Sequence, residues 1–112
     1  MKISILIATL NNINYLKILI NSIIKNSTFD HEIIIHVNEN KDNTIKFLKN
    51  KNIKYSFLTQ NIGLCSSMNR AYSLTTHNHI LYAHDDMFFC KNWDTFLINE
   101  IKKYNHNLYY LT

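Results

Sequence analysis

The chain has 112 residues and a mass of 13.3 kDa, enough for one domain with a single core. With 46% hydrophobic and 18% charged residues it is too apolar to stay disordered. Its formal charge of +4 comes from basic residues scattered along the chain, not gathered into the stripe that a nucleic-acid binder presents, so no nucleic-acid partner is expected.

No Pro and one Gly leave the tight turns to Asn and Asp, which tolerate left-handed backbone better than most residues with a Cβ. Residues 3–10, Ile-Ser-Ile-Leu-Ile-Ala-Thr-Leu, are β-branched and almost continuously apolar, as a central parallel strand would be. The run is too short to span a membrane and lacks the small-residue cleavage site of a leader. Asn11 and Asn12 end it, and Tyr15, Leu16, Leu19, Ile20, Ile23 and Ile24 then recur at helical spacing, expected on one face. Asn26, Ser27 and Thr28 close that helix.

Glu32 to Val37 gives a second strand, followed by the polar loop 38–44. Ile45, Phe47 and Leu48 mark a short second helix, and Tyr55 to Leu58 a third strand. Gln60-Asn61-Ile62-Gly63 leads into a third helix carrying Leu64, Met68, Ala71 and Tyr72. The fourth strand opens at Ile80, and its apolar character is that of a strand covered on both faces. It ends in Asp85-Asp86. Met87, Phe88 and Phe89 are expected to pack over the sheet edge, with Trp93 as a core anchor and Phe96, Leu97, Ile98 and Ile101 in a last helix. Leu108, Tyr109, Tyr110 and Leu111 suggest one further strand. Strands alternating with helices through short loops predict an α/β fold with a mainly parallel sheet and helices on both faces.

Carboxylates at the C-terminal end of such a strand face the ligand crevice. Asp85 and Asp86 are hard oxygen donors suited to Mg²⁺ or Mn²⁺, ions that bridge one or two carboxylates to substrate phosphates. The competing reading is that the pair caps a turn. His77, His79 and His84 have no fourth partner at zinc-site spacing. Cys65 and Cys90 lie far apart without C-x-x-C spacing, the pattern of a reduced cytosolic chain, although spacing alone does not exclude a disulfide.

Four features in order carry a resemblance: a first strand ending in Thr9-Leu10-Asn11-Asn12, a second ending in a polar loop, Asn61-x-Gly63 before a helix containing Asn69-Arg70, and an apolar strand ending in Asp85-Asp86. Together they resemble the nucleotide-binding half of family 2 glycosyltransferases. The resemblance implies a Rossmann-like GT-A half domain over residues 1–112, with about four strands in the order 3-2-1-4 and without the acceptor-binding half. It implies transfer of a sugar from a nucleotide diphosphate sugar to a glycan, lipid or protein acceptor, as in polysaccharide biosynthesis. Nucleotide-sugar contacts would fall on Thr9, Asn11, Asn38, Glu39, Asn61, Gly63, Asn69, His84 and Asp85. Mn²⁺ or Mg²⁺ would fall on Asp86 and Asp85, with His84 standing where the family's Asp-x-Asp has its first Asp.

The family's catalytic base comes from a later acidic motif that Glu100 does not match, so none is assigned. The alternative is a non-catalytic, truncated binding or assembly module, and either form invites a homodimer or a completing partner chain. The expected location is cytoplasmic, with any membrane contact through a partner. A receiver-like or other doubly wound phosphate binder fits less well, because the first strand-to-helix loop lacks a Gly-rich fingerprint and the acidic pair lies on the fourth strand.

Overall fold

The protein, seen in a computed structural model that describes residues 1–106 and 109–111, alternates strand and helix throughout. The elements are β1 (Ile3–Leu10), α1 (Ile13–Asn26), β2 (Glu32–Asn38), α2 (Thr44–Asn50), β3 (Lys54–Leu58), α3 (Leu64–Tyr72), β4 (His79–His84) and α4 (Trp93–Ile101). The strands pair in parallel in the order β3-β2-β1-β4, as predicted. Of the suggested strand 108–111, Leu108 lies outside the described residues, and residues 109–111 form no strand. No helix among the described residues is long and apolar enough to cross a membrane.

β1 occupies the interior of the sheet because both its faces are apolar: Ile3, Ile5 and Ile7 face one layer and Leu6 the other. The larger core lies on the first face, where Leu16, Leu19, Ile20 and Ile23 of α1 join Leu48 of α2 and Ile98 of α4. These four α1 positions form an i, i+3, i+4, i+7 seam. Tyr15 and Ile24 do not share it as expected; they are 59% and 57% exposed, since each sits about 100° around the helix from the seam's end. α3 covers the opposite face through a smaller cluster of Leu6, Ile34 and Ala71, with Met68 and Leu74 against it.

Three further expectations are corrected. β4, at the edge of the sheet among the described residues, is not covered on both faces: α3 packs over β1, β2 and β3, leaving Ile80 and Tyr82 each 40% exposed. Of residues 87–89 only Phe89 reaches the core, while Met87 and Phe88 stay exposed. Phe96 likewise faces outward from α4.

Trp93 does anchor the core, standing edge-on to Phe89 at 4.7 Å and donating its indole N–H to Ser27 Oγ at 2.9 Å. Beside it the buried Asp94 carboxylate accepts from the Thr28 N–H at 2.8 Å, the Phe29 N–H at 2.9 Å, its neighbour Thr95 N–H at 3.0 Å and His31 Nε2 at 2.9 Å. His31 Nδ1 accepts from the Ile3 N–H at 3.1 Å, which makes Nε2 the protonated nitrogen. Burial alone would raise the Asp94 pKa, but the donors from Phe29, Thr28, His31 and Thr95 outweigh it and hold the carboxyl at about 2. This clamp ties α4 to the loop between α1 and β2, at the end of the sheet remote from Asp85.

The turns follow the composition. Asn11, Asn43, Asn52 and Asn92 take positive φ, joined by Glu39 and by Gly63.

Candidate functional site

All four strands end at the same side of the sheet, and the chain changes faces between β1 and β4: α1 packs on one side and α3 on the other. In open α/β sheets ligands bind beyond the carboxyl ends of the strands, where the strand order reverses, which here lies between β1 and β4. Thr9 and Asp85 meet there, with Thr9 Oγ1 donating to Asp85 Oδ2 at 2.9 Å. Thr9 is 2% exposed, so this bond holds Asp85 from beneath. Asp86 is exposed and has neither a hydrogen-bond nor an ion-pair partner among the described residues.

The turn after β4 is closed without either carboxylate. The Met87 N–H donates to His84 O at 3.3 Å, and the His84 N–H points to Met87 Sδ at 3.4 Å. The hydrogen bonds therefore do not use the acidic pair as turn caps. The His84 ring is exposed, with Nδ1 3.1 Å from the Tyr82 hydroxyl and the two rings edge-on at 4.8 Å. Burial, then the neighbouring Cys65 and Asp85, raise the Tyr82 pKa. Among the described residues no three His, Cys, Asp or Glu side chains converge as a metal site.

On the β2 side, Asn38 is 4% exposed and spends its amide inside the framework. Nδ2 donates to Ser67 Oγ at 2.9 Å and, at 3.4 Å, to Thr9 O, while Oδ1 accepts from the Ile62 N–H at 3.0 Å. It thus joins β1, β2 and the loop before α3. Glu39 and Asn11 form the rim above it: Asn11 Nδ2 donates to Glu39 Oε1 at 3.3 Å, and Asn11 Oδ1 accepts from the Lys41 N–H at 2.9 Å. Lys41 Nζ lies 3.0 Å from the same Glu39 oxygen.

Asn61 Oδ1 accepts from the Gly63 N–H at 3.0 Å, turning the chain into α3. Gly63 sits at φ 80°, ψ 173°, a region almost restricted to glycine. Asn69 and Arg70 lie farther along α3, lining an open cleft with Ile62, Ser66 and Ser73. No contact joins them to Asp85 or Asp86 among the described residues.

Two framework residues escaped the sequence reading. Asp42 Oδ2 accepts from the Ile13 N–H at 2.8 Å and Oδ1 from the Thr44 hydroxyl at 2.7 Å, so one carboxylate secures the starts of α1 and α2. The Asp42-x-Thr44 spacing was its local signal. His36, fully buried on β2, contacts Ser56 Oγ through Nδ1 at 2.7 Å and leaves Nε2 without a partner. Burial, helped by the Arg70 cation and opposed by the nearby Asn38 side chain, lowers its pKa, which favours the neutral ring. Nothing local in the sequence marked it.

The family model described as glycosyl transferase family 2 matches residues 4–112. Among solved structures, the chain superposes on S. aureus TarS with a TM-score of 0.73 at 22% identity, covering 92% of this chain and 20% of that one. It superposes on TarS 1-349 in complex with UDP-GlcNAc at TM-score 0.74 and 23% identity, covering 90% and 30% of the two chains. For TarS 1-349 in complex with UDP the values are 0.75 and 22%, covering 92% and 32%. The chain therefore spans between a fifth and a third of these proteins. No curated protein sequence matches it.

Proposed function

The chain belongs to glycosyl transferase family 2 and has the α/β architecture of its GT-A domain, and from that premise we propose that the crevice between β1 and β4 binds a nucleotide diphosphate sugar. The observation that carries this reading is the pairing of a held and a free carboxylate, Asp85 and Asp86, at the strand ends where the sheet changes faces. Asn11 and Glu39 form the exposed rim that meets the base or ribose. Asn38 positions Thr9 and the loop 61–63, and Gly63 and Asn61 give that loop its shape. Asn69 and His84 flank the bound donor, His84 taking the position of the family's first acidic residue.

The donor set fits Mn²⁺ or Mg²⁺ in the mode where one or two carboxylates share the ion with substrate phosphates. A free Asp86 and its neighbour Asp85, bonded to Thr9, are hard oxygen ligands of that kind. When bound, the cation would supply positive charge against that developing on the diphosphate leaving group. Thr9 keeps Asp85 oriented, so the two carboxylates present a fixed and an adaptable oxygen.

The alternative reading is a nucleotide-sugar-binding module without turnover of its own. Titration calorimetry with UDP, GDP, CDP and dTDP, each with and without Mn²⁺, tests the shared part of both. Metal-dependent binding of one nucleotide is expected. Lack of binding to all four by a folded chain would refute the donor site. Release of sugar from the matching nucleotide sugar in the presence of acceptors would then separate an enzyme from a binding module.

A further inference from the structure

We propose that His36 is an acid-sensitive latch under α3: a proton taken up by its ring releases α3 and the preceding loop 61–63 from the sheet and so opens the donor crevice. The latch is a property of the fold alone, whereas its consequence for nucleotide binding rests on the donor site proposed above.

His36 lies between Ile34 and Asn38 on one face of β2, the face that α3 covers. It is fully buried, and its site satisfies one of the two ring nitrogens: Nδ1 is 2.7 Å from Ser56 Oγ, whereas Nε2 has no partner among the described residues. A neutral imidazole carries one N–H and one lone pair, so a single hydroxyl can serve its protonated nitrogen. An imidazolium carries two N–H groups, and the second would be buried unpaired together with a full charge.

Among the described residues, no group facing the ring offsets that charge. β1 brings Ala8, its register partner, with Ser4 and Leu6 on the same face. β3 brings Ser56 on the other side, and Lys54, two residues back on that face, reaches Leu74 O and Glu32 instead. Glu32 shares the face of β2 but stands at the start of the strand, bound to Thr76 and Lys54. Of the titratable side chains on α3, Cys65, Arg70 and Tyr72, Arg70 is the one whose charge acts on the ring, and it is positive. Burial, with that cation and against the nearby Asn38 side chain, keeps the ring pKa below its ordinary value.

α3 is the layer that yields. It holds the sheet through the small cluster of Leu6, Ile34 and Ala71, with Met68 and Leu74 against it, whereas α1, α2 and α4 share the larger core. A segment with few buried apolar contacts opens locally before the whole chain unfolds. Asn38, next after His36 on this face, ties down α3 and its preceding loop through Ser67 Oγ at 2.9 Å and the Ile62 N–H at 3.0 Å. Lifting α3 lets water reach the ring, and both bonds and the shape of the loop 61–63 go with it. Because the closed ring resists protonation and an open ring takes its proton near the ordinary 6.5, closure is fully favoured above that pH and loses ground as pH falls below it.

Amide hydrogen exchange of the nucleotide-free 112-residue chain tests the latch. After correction for intrinsic rates, exchange at Ile62, Ser67 and Ala71 should be about tenfold faster at about pH 5.5 than at about pH 7.5, the gain expected over that span for a group that titrates at about 6.5 in the open form. His36→Leu, which cannot titrate, should abolish the difference, and His36→Asn, which can still partner Ser56, should do the same if the leucine variant fails to fold. Equal corrected rates in the parent at the two pH values overturn the proposal, and so does an acid response that persists in a folded variant. NMR titration of the His36 ring needs no variant: a ring that protonates at about 6.5 or above while those three amides stay protected overturns the latch. At about a hundred times its dissociation constant, the cognate nucleotide with Mn²⁺ should slow exchange at the same amides about a hundredfold. A nucleotide that binds without slowing them overturns the coupling to the crevice. Failure of all four nucleotides to bind would instead refute the donor site, with the latch still read from the free chain.

Discussion

Asp85 and Asp86 are adjacent in sequence and opposite in circumstance. One is bonded to a buried threonine and the other stands exposed without a partner, so substitutions at the two sites should separate folding from binding. Asp86→Ala removes no contact seen in the fold, and its unfolding free energy should stay within about 0.5 kcal/mol of the parent. Metal-dependent nucleotide affinity should fall about tenfold or more, because the cation loses its free carboxylate. Parallel calorimetry and urea unfolding check both halves, and undiminished affinity would remove Asp86 from the metal. Gly63 makes the converse case. A Cβ there would meet no atom within 4 Å, so space is not what demands glycine. The backbone at φ 80°, ψ 173° is, and Gly63→Ala should cost about 1–3 kcal/mol in urea unfolding. A cost near zero would mean that the turn relaxes into another conformation.

At the scale of elements, α4 shows how a helix with a weak apolar seam is kept in place. Ile98 and Ile101 are its buried apolar residues, and Phe96 faces outward, yet its first turn is locked by Asp94. The donors around Asp94 hold its pKa at about 2 against an ordinary 3.8, so the folded state binds this proton less readily than the unfolded chain. The resulting stabilisation, about 2 kcal/mol, is fully present above roughly pH 4 and is lost as pH falls through about 2. Asp94→Asn should lower stability at neutral pH and flatten the decline between pH 4 and 2. Urea midpoints measured across that range compare the two, and parallel curves for parent and variant would count against the clamp. The other elements were easier to read. The α1 seam announced its helix by spacing, although the outer limits of its buried face, at Tyr15 and Ile24, depended on where the sheet ended beneath it.

For the whole molecule, a donor site that forms only in the folded chain links binding to stability. At a hundred times its dissociation constant, the cognate nucleotide with Mn²⁺ should raise the unfolding free energy by about 2.7 kcal/mol. Thermal unfolding with and without each component reads this, and a midpoint indifferent to all four nucleotides would speak against the site. Much of the molecule was already legible in its chain. Alternating apolar runs and helical spacings marked all eight elements of the parallel α/β fold, plus a ninth at 108–111 whose residues 109–111 form no strand, and the ordered Thr9, Asn61-x-Gly63 and Asp85-Asp86 motifs marked the strand-end loops as the candidate site. These are local signals, written in the periodicity of side chains and in turn chemistry. Only the tertiary structure decided that Asp85 is held while Asp86 is free, that Asn38 is consumed inside the framework, and that His31 and Asp94 meet across 63 residues. It alone exposed β4, because an apolar strand reads the same whether or not a helix lies over it, and coverage depends on where α3 comes to rest.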